Sequence, residues 1–260
     1  MFQTNPQQFP NKVLPTMYDL PSEDPEEPGL PDQFHIYQPR LLDETFQPSN
    51  YPSDQVLTAT ELNVYYDPSQ TQWYKRPDWF AVVGVSRLYN NEDLRLSYVV
   101  WDEGVSPLIV IELLSPGTEN EDLGKNPPYI PPNRGERGGS PPTKWTVYEE
   151  ILCIPYYVTF DRYTNQIKAY QWTQRGYQPW ELTNQGLWVE EIKMSLGLWS
   201  GQYEEMTRLW LRWRDEQGNW IPTSKEQTER ERQRADVQQQ RANRLATRLR
   251  ELGIDPSEIN

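Results

Sequence analysis

Residues 107–116 read Pro-Leu-Ile-Val-Ile-Glu-Leu-Leu-Ser-Pro, an unbroken apolar, partly β-branched run of strand length with proline at each end. The pattern predicts a strand covered on both faces. Side chains alternate along a strand, so Glu112 shares one face with Val110 and Leu114, while Ile109, Ile111 and Leu113 take the other. An unpaired carboxylate on a covered face costs several kcal/mol or takes up a proton. Glu112 is tolerable if a metal ion, a cation or a water-filled cleft meets it, or if the strand ends there in solvent.

Working back from this run, Asp102-Glu-Gly turns the chain into it, and Ser97–Trp101 is expected to be a strand. Trp79–Val85 reads as another buried strand, preceded by Arg76-Pro-Asp78, with proline where a missing N–H matters least. Val56–Tyr66 reads as a third. Residues 1–50 are rich in Pro, Asp and Glu, including the acidic stretch 19–28, and predict extended structure with little core of their own. A short helix fits Phe34–Phe46, interrupted at Pro39.

Forward from Ser115 a long Pro- and Gly-rich connection runs to Pro142 and carries Asp122, Lys125, Arg134 and Arg137. Loops of that length inside a domain are often functional. Thr143 is a plausible N-cap for a helix with Trp145, Tyr148 and Leu152 on one face. Lys144 then sits in the first turn, against the helix dipole. Pro155 ends the helix. Tyr156–Asp161, Gln166–Trp172 and Tyr177–Leu182 read as strands, Leu187–Leu198 closes the domain, and Met206–Trp213 fits strand or helix equally.

From Thr223 the composition shifts to Glu, Gln, Arg and Ala. Thr223 with Glu226 forms a capping box, and Gly253 and Pro256 supply stop signals. Residues 225–252 carry a net charge of +3, which leaves the rest of the chain at −16. Ala235, Ala242, Leu245, Leu249 and Leu252 form a heptad-like seam broken by Gln238, which fits a coiled coil that dimerises or docks a partner, or a solvated single helix; self-association into a homodimer is the expectation.

Composition excludes several functions. At 260 residues the chain can bury one main core with appendages. No apolar run of about 18 residues exists to span a membrane. The first residues lack the basic-then-apolar layout of a secretory signal, and a cytoplasmic location is the expectation. Cys153 is the single cysteine, which rules out a disulfide framework or a cysteine-rich zinc site; it reads as a small core residue. His35 is the single histidine, so any Ser-His-Asp triad would have to be built on it. A formal charge of −13 argues against strong non-specific nucleic-acid binding, though not against an acidic metal site beside a local basic patch.

Arg76-Pro-Asp78, Ile111-Glu112-Leu-Leu-Ser-Pro and Lys144-Trp-Thr-Val-Tyr148, taken in order, resemble the Uma2 (DUF820) family of restriction-endonuclease-like proteins, a branch of the PD-(D/E)xK nuclease superfamily. Residues 154–161 and the tail 249–256 extend the likeness. The resemblance implies an α/β (α+β) fold: a mixed β-sheet core flanked by helices, here with a long C-terminal helix added. It divides the chain into an N-terminal extension (1–50), a nuclease-like domain (51–205), a connector (206–222) and a C-terminal helix and tail (223–260). It also implies metal-dependent hydrolysis of nucleic-acid phosphodiester bonds, DNA among them. Asp78, Glu112 and the backbone carbonyl of Leu113 would hold Mg2+ or Mn2+, and Lys144 would complete the catalytic set. The lysine that the superfamily places two residues after the Glu is Leu114 here; in Uma2-like sequences the following helix supplies it, which implies Lys144 by its spacing to Tyr148, with Lys125 the rival if the long loop folds back. The alternative is an inactive nuclease-fold scaffold that oligomerises through its C-terminal helix.

Overall fold

The structure, a computed structural model, describes residues 32–115, 119–124 and 141–252. In chain order its elements are α1 (Gln33–Thr45), β1 (Val56–Ala59), β2 (Val64–Tyr65), β3 (Tyr74–Lys75), β4 (Trp79–Val83), β5 (Tyr98–Val99), α2 (Val100–Glu103), β6 (Ile109–Leu114), α3 (Glu119–Asp122) and α4 (Lys144–Thr146). They continue with β7 (Tyr156–Asp161), β8 (Gln166–Thr173), β9 (Gly176–Pro179), β10 (Leu187–Val189), β11 (Met194–Tyr203), β12 (Met206–Arg214) and α5 (Ser224–Glu251). The acidic stretch 19–28, Lys125, Arg134, Arg137, Gly253 and Pro256 lie outside the described residues.

The apolar run around Glu112 is a central strand, as its composition requires. β6 lies inside a six-stranded sheet ordered β1-β4-β6-β7-β8-β9. It pairs antiparallel with β4 and parallel with β7, so the sheet is mixed. A second sheet, β10-β11-β12, is antiparallel, and a small one joins β3, β2 and β5. Helices flank the main sheet and α5 extends the chain, which is the expected α+β class.

Alternation along β6 divides the core in two. Ile109, Ile111 and Leu113 pack with α1 (Phe34, Leu41, Leu42) and with Trp210, Leu211 and Trp213 of β12. Val110 packs on the opposite side, with Phe80, Val147, Tyr148 and Tyr157. Glu112 belongs to that second side.

Several local readings change. α1 runs unbroken through Pro39, because its buried face and Gln38 fix it to β12. Val56–Tyr66 divides into β1 and β2 at Glu61, whose φ of 50° is left-handed. Ser97–Trp101 is strand only at β5 and then turns as α2, which Gly104 closes at φ 71°. Met206–Arg214, within the expected connector, is a full strand paired along β11. Cys153 is exposed rather than core, since a left-handed φ of 49° turns it outward after the helix.

Candidate functional site

The ladder between β4 and β6 ends at Trp79 opposite Ile111. Just beyond it stand Asp78 and Glu112, and their carboxylates take over the pairing. The Leu113 N–H donates to Asp78 Oδ2 at 2.5 Å, and the Asp78 N–H donates to Glu112 Oε2 at 3.3 Å. Each acid thus caps the backbone beside the other where the β4–β6 ladder stops, while β6 continues to pair with β7.

Lys144 comes from the third element. Thr143 caps the helix by accepting from the Thr146 N–H at 3.2 Å, which puts Lys144 in the first turn. From there Nζ donates to Glu112 Oε2 at 2.8 Å. One turn on, the Tyr148 hydroxyl donates to Glu112 Oε1 at 2.9 Å. After Thr146 the helix widens into π geometry over Val147–Ile151, an irregularity often found where a helix serves a site. Glu112 is fully buried, and these donors satisfy both of its oxygens.

Sequence reading missed two residues of this cluster. Asp122, on α3, is buried with Oδ1 3.3 Å from Lys144 Nζ. His35 reaches the cluster from α1. Its Nε2–H donates to the Leu113 carbonyl at 3.1 Å, while Nδ1 stands 3.0 Å from Asp32 Oδ1. Ser115 Oγ lies 3.3 Å from the same Nε2. With an acceptor at each ring nitrogen, His35 is suited to the doubly protonated imidazolium. The carbonyl expected to face an ion therefore already accepts one hydrogen bond and keeps a second lone pair.

Electrostatics reflect three acids gathered around one ammonium. Burial pushes the Glu112 carboxyl well above the usual range; Lys144 pulls it down, and Asp78 and Asp122 push it up again. Burial also raises Asp78, with Lys144 and His35 offsetting only part. For Lys144 burial works the other way, but Asp122, Glu112 and Asp78 outweigh it and hold the ammonium well above its ordinary pKa.

The donor set suits a hard divalent cation, because carboxylate oxygens are what Mg2+ and Mn2+ select. Buried carboxylates driven towards protonation are groups that a cation would relieve. Among the described residues, no three His, Cys, Asp or Glu side chains are arranged as a ready-made chelate. The Lys144 ammonium stands between Glu112 and Asp122 instead. A cavity of about 1030 Å³ lies elsewhere, lined by Arg40, Glu44, Glu204, Glu226 and Arg230 among others, and includes none of these residues.

A solved structure similar to this chain is described as a putative nuclease belonging to DUF820, from Anabaena variabilis ATCC 29413. It is 13% identical, with a TM-score of 0.39, and the match covers 60% of this chain and 74% of that one. No curated protein is significantly similar. The Uma2 family model, described as "Putative restriction endonuclease", matches residues 12–204. That span takes in α1, both acid-bearing strands, α3 and the lysine helix, so the match includes every residue of the cluster: the chain belongs to the Uma2 family.

Proposed function

We propose that the protein is a metal-dependent nuclease that hydrolyses phosphodiester bonds of nucleic acid at the Asp78–Glu112–Lys144 cluster. The observation that carries this reading is the convergence of two acids and one ammonium, from three places distant in sequence, where the β4–β6 ladder ends. The family description points to the same chemistry.

Asp78 and Glu112 would hold Mg2+ or Mn2+, with the free lone pair of the Leu113 carbonyl available to complete the protein's share. When bound, such an ion polarises a phosphoryl oxygen and lowers the pKa of a coordinated water. The chain's own residues do the rest. Tyr148 fixes the Glu112 carboxylate from below, so one oxygen stays oriented whichever cation the other meets. Lys144 carries a full positive charge on a flexible stem, suited to orient a water or to offset charge developing on phosphorus.

Cleavage of plasmid DNA and of a single-stranded RNA, with Mg2+ and then Mn2+, tests the reading. Glu112→Gln and Asp78→Asn should lose cleavage, and Lys144→Met should fall by about 100-fold. Parent-like rates in Glu112→Gln would refute the assignment. The acidic balance of −13 favours one rival, a nuclease-fold scaffold without catalysis. Such a scaffold needs no specific ion, so a Mn2+ titration that is flat for both the parent and Glu112→Gln would select it.

A further inference from the structure

Asp122 is 2% exposed, and among the described residues its Oδ1 accepts no hydrogen bond. Among the described residues its ion-pair partner is the Lys144 ammonium at 3.3 Å. A buried carboxylate oxygen left in this state is costly and calls for a reason. Chance placement is a poor one, because four residues cannot hold a helix unaided and α3 is tied down from every side. Lys75 Nζ lies 2.5 Å from Glu121 Oε1, and the Lys144 N–H donates to the same oxygen at 3.0 Å. The Tyr157 hydroxyl donates to the Asp122 carbonyl at 2.8 Å. Gly124, at φ 65°, lets the chain leave beneath Trp145, whose Cγ would stand 2.7 Å from an added Cβ. These contacts hold Asp122 against the site.

Charge supplies the reason. His35 pairs with Asp32, a carboxylate it shares with Arg162. Around the Lys144 ammonium stand Asp78, Glu112 and Asp122, so these four side chains, fully ionised, carry two surplus negative charges, the charge of one divalent ion. Without Asp122 the surplus would be one.

We propose that Asp122 is the third acid of the ion's site and takes the divalent cation on its free Oδ1 in company with Glu112. The inference rests on the metal-dependent reading above and adds a ligand to it. Ion and ammonium draw on the same two carboxylates, so the Lys144 ammonium turns aside as the ion enters. Its side chain, 18% exposed, has an outlet to solvent.

Calorimetric titration of the full-length protein with Mn2+ tests this, with melting in EDTA as the check on folding. Asp122→Asn, equal in size, should bind Mn2+ about 10-fold or more weakly. The same loss should persist in a Lys144→Gln background, where an effect relayed through the lysine would vanish and overturn the proposal. Parent-like affinity in Asp122→Asn, with affinity lost in Glu112→Gln, overturns the third ligand and leaves the nuclease reading standing. Unchanged affinity in both variants removes the metal centre and the inference together. If Asp122→Asn does not fold, Asp122→Glu keeps the charge but moves the oxygens: weaker binding again supports a ligand, and parity overturns it.

Discussion

His35 joins α1 to the C-terminal end of β6 through one ring. Burial works to lower its pKa, yet the Asp32 hydrogen bond, the Asp78 charge and the Leu113 carbonyl outweigh it and raise the pKa above 6.5. A base whose pKa rises on folding stabilises the fold fully below its unfolded pKa, and that contribution is lost as pH climbs through the raised value. Urea unfolding should therefore show the parent losing stability more steeply from about pH 6.5 upwards than His35→Gln, while the raised Glu112 and Asp78 carboxyls give both proteins a shared slope. An equal slope in both proteins would mean that the ring is neutral throughout. The three expected side chains were legible because their chemistry is unusual for their positions: an acid in a covered strand, an acid after proline, a lysine in a first helical turn. His35 and Asp122 were not, because neither is anomalous locally. His35 looks like a helix residue beside its cap, and only the placement of α1 brings it to Leu113, 78 residues away. Asp122 sits in an acidic run whose spacing singles out no member.

At the scale of elements, α1 shows burial overriding local propensity. A proline in a helix interior costs about 3 kcal/mol, yet Pro39 lies inside a continuous helix. What compensates is partly apolar burial of Phe34, Leu41 and Leu42, and partly Gln38, which acts as a missing strand neighbour. Its Nε2 donates to the Leu211 carbonyl at 2.9 Å, and its Oε1 accepts from the Leu211 N–H at 2.8 Å. That pair spans 173 residues, beyond the reach of any periodicity argument. Gln38→Leu should cost about 2–4 kcal/mol in urea unfolding, because both backbone groups of Leu211 are left buried and unpaired. A loss below about 1 kcal/mol would show that water replaces the amide. The strands of the main sheet were easier to read, since apolar runs and prolines mark them directly. Their interruptions at Glu61 and after Val99 depend on single backbone conformations that composition does not reveal.

At the scale of the molecule, charge and exposure separate the body from α5. No residue of this 28-residue helix is buried, and among the described residues no helix is long and apolar enough to cross a membrane. Its first turn is nevertheless fixed to the body. Buried Arg212 pairs with Glu226, and Glu226 also closes the capping box by accepting from the Thr223 N–H at 2.9 Å. Beyond that anchor no residue of the helix is buried against the body, whereas packing of an amphipathic face supplies most helical stability in proteins, so a partner for the Ala235–Leu252 seam is expected, and a second copy supplies the same seam. The flanking charges bear on its direction. Arg234, Arg241 and Arg248 recur every seven residues along one side of the seam. An antiparallel pair would set these rows against each other, whereas a parallel pair sets Arg234 and Arg241 beside the neutral Gln239 and Ala246 of the other copy. The prediction is a parallel homodimer with the two bodies on the same side. Sedimentation equilibrium should give a dimer for the full chain and a monomer after truncation behind Gln233, which spares the Arg212–Glu226 anchor. In a Cys153→Ser background, Ala235→Cys should cross-link on oxidation, because a parallel pair sets this end of the seam beside itself while an antiparallel pair carries it to the far end of its partner. A monomeric full chain would leave α5 as a solvated single helix, and a dimer that survives the truncation would place the interface on the body.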